Sequence, residues 1–201
     1  GHQRPHRRGQ RFPLRPGEGQ AHTGRYGVLW LCGERLVDVF GRSFPRATVV
    51  ARTDPPNPVI EQAGIDYQTP MGSLCVRYRE SKTAFEASEG RYLHADPTRQ
   101  VDLAHRYQEL GPGPLVGICW RSGNPIAGGE RSAPLDLWAT ILTQAPCRFI
   151  SLQYGEVAED ISDVKERLGV EVHVDGDVNP LESAEDWFAQ IGVMDMVISV
   201  D

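Results

Sequence analysis

The stretch Leu115-Val-Gly-Ile-Cys-Trp120-Arg-Ser-Gly-Asn-Pro125 decides the fold class: a short apolar run ends abruptly in small and polar residues. Two later stretches repeat the arrangement. Arg148-Phe-Ile-Ser-Leu152 runs into Gln153-Tyr-Gly-Glu156, and Asp195-Met-Val-Ile-Ser-Val200 runs into Asp201. Apolar runs this short, bounded by turn residues and separated by helical periodicity, read as parallel strands joined by crossover helices, an α/β arrangement. In such sheets the carboxyl ends of the strands line the ligand crevice. The polar residues after each strand are therefore the first candidates for a site.

Working outward, Pro134 marks a helix start with Leu135, Trp138, Ile141 and Leu142 as its apolar stripe. Val157, Ile161, Val164 and Leu168 recur at helical spacing and Gly169 is the stop. Ser183 with Asp186 predicts an N-terminal cap, with Trp187 and Ile191 facing inward. Upstream, Gly27–Cys32 and Ala47–Ala51 read as strands around a helix from Glu34 to Phe44, whose apolar face is Leu36, Val37, Phe40 and Phe44. Pro58 opens a short helix to Ala63, Ile65–Gln68 reads as a further strand, and the pattern from Thr69 to Glu89 is weak. Asp96-Pro97 closes the first unit, Pro97–Leu110 is only faintly amphipathic, and Gly111-Pro-Gly-Pro114 is the strongest breaker in the chain. The expected organisation is a basic disordered segment over 1–26, a first unit over 27–110 and a second over 111–201.

Charge is distributed unevenly. The 201 residues carry 21 Lys and Arg against 27 Asp and Glu, but residues 1–26 hold six arginines and one acid. Without that segment the body has 15 basic and 26 acidic residues, a net −11. Phosphate neutralisation dominates nucleic-acid binding, so so acidic a body excludes that class. The arginine-rich head lacks apolar periodicity; its composition suits disorder, a linker or out-of-frame sequence. No apolar run approaches the roughly 20 residues that span a bilayer. Cys32, Cys75, Cys119 and Cys147 show no C-x-x-C spacing and read as buried free thiols, which points to a reducing cytoplasm.

Three groups of residues could carry chemistry. Ser122, Gly123 and Asn124 lie on a glycine-rich loop between strand and helix, where backbone N–H groups and the helix dipole suit a phosphate, and Arg131 could pair it in bidentate fashion. The bland alternative is a plain surface loop. Gln153 offers donor and acceptor and Tyr154 could border a base or sugar, against an ordinary strand-to-helix turn. Asp201 occupies the third crevice position, or serves as an N-cap. Asp175-Gly-Asp177 resembles paired metal-holding acids but sits among turn residues, and His173 alternates with valines as a structural strand residue. No metal or cofactor is expected.

In this order and spacing, Val116–Pro125, Arg131–Leu135, Phe149–Gln153 and Met196–Asp201, with Glu34–Val37 and Arg42–Pro45 upstream, resemble the glycosyltransferase-like C-terminal region of bacterial tetratricopeptide-repeat proteins. That region is related to the heptosyltransferases of glycosyltransferase family 9 and, more distantly, to O-GlcNAc transferases. The resemblance spans roughly Val28 to Asp201 and implies a GT-B architecture of two Rossmann-like lobes. It also implies a nucleotide-sugar donor held by the C-terminal lobe without metal, and an acceptor that is a protein, lipid or glycan. By resemblance, Ser122, Gly123, Asn124 and Arg131 face the donor phosphates, Gln153 and Tyr154 form a second donor loop, and Asp201 begins an Asp-[Ser/Thr]-x-x-x-His element. The pattern departs at Arg121, where a small residue is usual. The family's first strand, its Gly-x-Gly-Asp turn and the segment after Asp201 have no counterpart. Both lobes are thus expected to be incomplete, the chain to be an inactive fragment, and no residue to qualify as catalytic base. A sugar-nucleotide epimerase of the same fold and a non-catalytic module beside helical repeats are the alternatives.

Overall fold

A computed structural model describes residues 27–86, 90–124, 126–144 and 146–200. The basic segment 1–26 and Asp201 lie outside the described residues. The molecule is α/β with two parallel sheets. Strands β1 (Val28–Cys32) and β2 (Ala47–Ala51) form a two-stranded sheet, joined through a 3-10 turn at Glu34–Leu36 and helix α1 (Val37–Ser43). Helices α2 (Val59–Gln62), α3 (Met71–Tyr78) and α4 (Lys82–Glu86) follow, then α5 (Pro97–Gln108).

The larger sheet contains β3 (Leu115–Cys119), β4 (Arg148–Ser151), β5 (Val172–His173) and β6 (Met196–Ser199), in the order β5-β4-β3-β6. Every pairing is parallel. A 3-10 turn at Leu135–Trp138 leads into α6 (Ala139–Thr143); α7 (Ala158–Leu168) and α8 (Ala184–Gly192) complete the crossovers. The chain moves outward from β3 through β4 to β5, then returns to the other side of β3 for β6. The strand order therefore reverses between β3 and β6, and such a switch point opens a crevice at the carboxyl ends of the strands.

Helices cover β3 and β4 on both faces, which is why these central strands are continuously apolar, while the edge strand β6 stays largely exposed. Val116, Ile118, Trp120 and Phe149 point to one core with Leu135, Trp138, Leu142 and Val164. Leu115 and Ile150, of opposite parity along their strands, point to the other with Leu103, Tyr107, Ala189 and Met194. Gly117 lies on that second face because a Cβ there would press on Leu152 and Met194.

Several expectations need correction. Helix α5 is a full 12 residues, capped by Asp96, whose Oδ1 accepts from Thr98 N (2.8 Å) and Arg99 N (3.0 Å), with Pro97 at its first position. Asp96-Pro97 is thus a helix start. Although α5 precedes the Gly111–Pro114 breaker, its Leu103 and Tyr107 are buried in the core of the larger sheet. Ile65–Gln68 is not a strand: Ile65 and Tyr67 are exposed, and among the described residues no neighbouring strand offers a ladder. The weak stretch after Thr69 forms α3 and α4, neither of which buries a residue. The buried member of α1 is Val39, absent from the expected stripe; Phe40 instead stacks on Trp30 and Phe44 packs tilted against it (4.5 and 5.0 Å between centroids). Ile141 is exposed because its helix lasts one turn after a 3-10 start, and Trp187 and Ile191 are only half-buried. Of the four thiols, all free, Cys32 is buried, Cys119 and Cys147 are half-buried and Cys75 is exposed on α3.

Other signals hold locally. Gly169 ends α7 with φ 67°, a left-handed position where glycine escapes the Cβ penalty. Ser183 Oγ accepts from Asp186 N (3.1 Å), the expected cap.

Candidate functional site

The site is built where β3 and β4 end. The last backbone rung between them is Leu152 N donating to Ile118 O at 2.9 Å. Beyond it, Gln153 turns its amide across the gap: Oε1 accepts from Trp120 N (3.1 Å), Arg121 N (2.8 Å) and the Cys119 thiol (3.4 Å). Its Nε2 donates to Tyr154 O (3.3 Å). Gln153 is 8% exposed, so this is an interior bridge between the two loops.

The loop after β3 hydrogen-bonds largely to itself. Ser122 N donates to Ser132 Oγ (3.1 Å), and Ser132 Oγ donates to Gly128 O. Asn124 Oδ1 accepts from Ile126 N (2.9 Å) and Ala127 N (3.0 Å), and Asn124 O accepts from Gly128 N (2.8 Å). Asn124 therefore organises the turn, an Asx role. Gly123 lies against the Tyr154 ring so closely that a Cβ would collide with its hydroxyl. The two loops singled out by sequence thus meet, through Gln153 inside and Tyr154 on Gly123. Arg131 is exposed on the turn ahead of the 3-10 segment, its N–H shared between Ala127 O and Gly128 O (3.2 Å each). Asp201 cannot be placed in this crevice, since it lies outside the described residues.

Asp160, missed by sequence reasoning, and Arg121, noted only as a departure from the pattern, fasten the two loops together. Asp160, in the first turn of α7, accepts from Trp120 Nε1 (2.9 Å) and pairs with Arg121 Nη2 (3.4 Å). Arg121 also donates to Glu156 O, which clamps one loop to the other. A buried indole N–H needs an acceptor, and that requirement was the readable signal. Burial also pushes the Cys119 thiol above its ordinary pKa.

Asp175 and Asp177 form the expected turn, with Asp177 N donating to Asp175 Oδ1 (3.1 Å). Asp175 is, however, buried and structurally committed: it accepts from the Tyr107 hydroxyl (2.9 Å) and pairs with Arg106 (3.0 Å), while Gln190 Nε2 donates to Tyr107 (2.8 Å). His173 packs edge-on against Tyr107 (5.8 Å). Among the described residues no group of three or more His, Cys, Asp or Glu side chains is placed to hold a metal ion. No described helix is long and apolar enough to cross a membrane.

A concavity of about 520 Å³ lies between α1 and the N-terminal ends of α5 and α8. Arg42 pairs there with Glu185 (3.0 Å) and Asp96 (3.8 Å), and Arg99 pairs with Asp186. Among the described residues lining it, four acids outnumber two arginines, and the concavity joins the two units: Arg42 reaches Glu185 (3.0 Å), and Arg35 donates to Pro180 O (3.0 Å). Asp96, Asp186 and Arg42 stood out in the sequence for other reasons; that they meet Arg99 and Glu185 here depends on the two units coming together.

The chain is 32% identical over 186 residues to Protein FlbA of Caulobacter vibrioides, an alignment covering 87% of this chain and 31% of that protein. It spans about a third of that relative's length (31%). No family model and no solved structure matches the chain.

Proposed function

We propose that this chain is the donor-side part of a metal-independent GT-B glycosyltransferase that uses a nucleotide-sugar. One observation carries the reading. The residues that resemble the family's donor loops, Ser122–Asn124 and Gln153–Tyr154, meet at the carboxyl ends of β3 and β4, beside the switch point of the larger sheet. Enzymes of this kind work by orienting donor and acceptor and by neutralising the departing diphosphate. Arg131 supplies a guanidinium for that charge, and Tyr154 offers a ring to border base or sugar. The acceptor, protein, lipid or glycan, would meet the donor from the side of the first unit, and transfer itself belongs to a longer protein.

The experiment is calorimetric titration of the chain with UDP, GDP, ADP and CDP in EDTA. At least one diphosphate should saturate a single site, and Arg131→Ala should weaken it about tenfold or more, the worth of a charge-assisted contact. No binding by any of the four, or binding that requires a divalent cation, would overturn the reading.

A further inference from the structure

We infer that Gln153 is a positioning residue: its side chain ends the β3–β4 ladder and sets the course of the loop 121–124 without touching the donor. The inference rests on the donor-side reading above, but its geometry is independent of it. In a continuing parallel ladder, the N–H two residues past Ile118 would meet a backbone carbonyl of the neighbouring strand. That N–H belongs to Trp120, and it meets Gln153 Oε1 instead, at 3.1 Å. The next one, from Arg121, turns onto the same oxygen at 2.8 Å. Successive N–H groups converging on one oxygen are the arrangement by which backbone binds anions. Here the chain fills that place itself.

Two consequences follow. The N–H groups of Trp120 and Arg121 are unavailable to a diphosphate, so the ligand must be met further along, from Gly123 to Arg131. And because one acceptor fixes both amides, β3 and β4 part at this rung, which opens the crevice and brings Gly123 under Tyr154. Gln153 is 8% exposed and its oxygen already accepts three hydrogens, an arrangement that suits holding the loop and leaves little for reading a base or sugar.

The test compares the chain with Gln153→Glu and Gln153→Leu, reading affinity for the diphosphate and for its uncharged nucleoside by calorimetry and amide exchange at Trp120 and Arg121 by NMR. A carboxylate can still accept both N–H groups, though it cannot donate to Tyr154 O and brings a charge toward the diphosphate; leucine accepts neither. Glu should keep both amides protected and hold affinity for the uncharged nucleoside within about threefold, while Leu should speed exchange and weaken nucleoside and diphosphate alike about tenfold or more. If Glu keeps the protection yet loses as much nucleoside affinity as Leu, Gln153 touches the ligand and the inference fails. It also fails if Leu leaves exchange and binding unchanged. Should Leu not fold, the Glu variant alone decides by the same pairing of readouts. If the parent chain binds no diphosphate, the donor-side reading falls, and the exchange data still decide whether Gln153 fixes the loop.

Discussion

The two parallel sheets differ in what covers them. In the larger, Ile118 and Ile150 are 0% exposed, held between helices on both faces. In the smaller, Val28 is 56% exposed and only Cys32 is buried in either strand. The strand sequences, Val-Leu-Trp-Leu-Cys and Leu-Val-Gly-Ile-Cys, are almost equally apolar. An apolar pattern makes a strand able to be buried; the neighbours that topology brings decide whether it is. The larger sheet is also where the strand order reverses, so packing and switch point coincide there.

That contrast can be broken most directly by truncating matched aliphatic positions. Ile150→Ala should cost about 2–5 kcal/mol, a cavity in a closed core. Val28→Ala should stay within about 0.5 kcal/mol, as exposed substitutions do. Urea unfolding measures both; equal losses would mean the smaller sheet is as well covered as the larger.

Next in size is the polar link that binds α5 to the larger sheet. Tyr107→Phe should lose about 1–3 kcal/mol, since Gln190 Nε2 and Asp175 lose a buried partner. The same residue sets a pH dependence. Burial, first among its causes, raises the Tyr107 pKa, so the folded state holds the phenolic proton more tightly than the unfolded chain. This contribution is intact below the unfolded value of about 10 and is lost as pH climbs past it. Unfolding followed from pH 8 to 11 should show a steeper decline for the parent chain than for Tyr107→Phe; identical slopes would contradict the burial.

The smallest effect is kinetic. Cys75, exposed on α3, should react with iodoacetamide at pH 8 well before Cys32 and Cys119, whose thiols are raised by burial. Peptide mapping after brief labelling reads the order, and prior labelling of Cys32 would show the smaller sheet opening.

Strands β3, β4 and β6 were legible because each is a bounded apolar run, and α7 because four residues keep its period up to Gly169. The helix α5 hid in plain sight: its cap pair Asp96-Pro97 was visible, but its apolar stripe is only Leu103 and Tyr107. Helices α3 and α4 bury nothing, so no periodicity announced them. At the site, residue types marked the right loops but not their roles. Gln153 is legible as a donor and acceptor, yet nothing along the chain says that its partners are the amides of Trp120 and Arg121, 32 to 33 positions away. The clamp of Arg121 on Asp160 and Glu156 is invisible for the same reason: it joins two loops that only the sheet brings together.

The central claim is that ligand binding belongs to the carboxyl edge of the larger sheet. The most direct measurement is a map of backbone amide shifts as the best-binding nucleoside diphosphate is titrated into the labelled chain. The account predicts that the largest shifts fall on Ser122–Asn124, Arg131 and Tyr154–Gly155. Shifts concentrated on α3, α4 or the residues around Arg42 and Arg99 would contradict it.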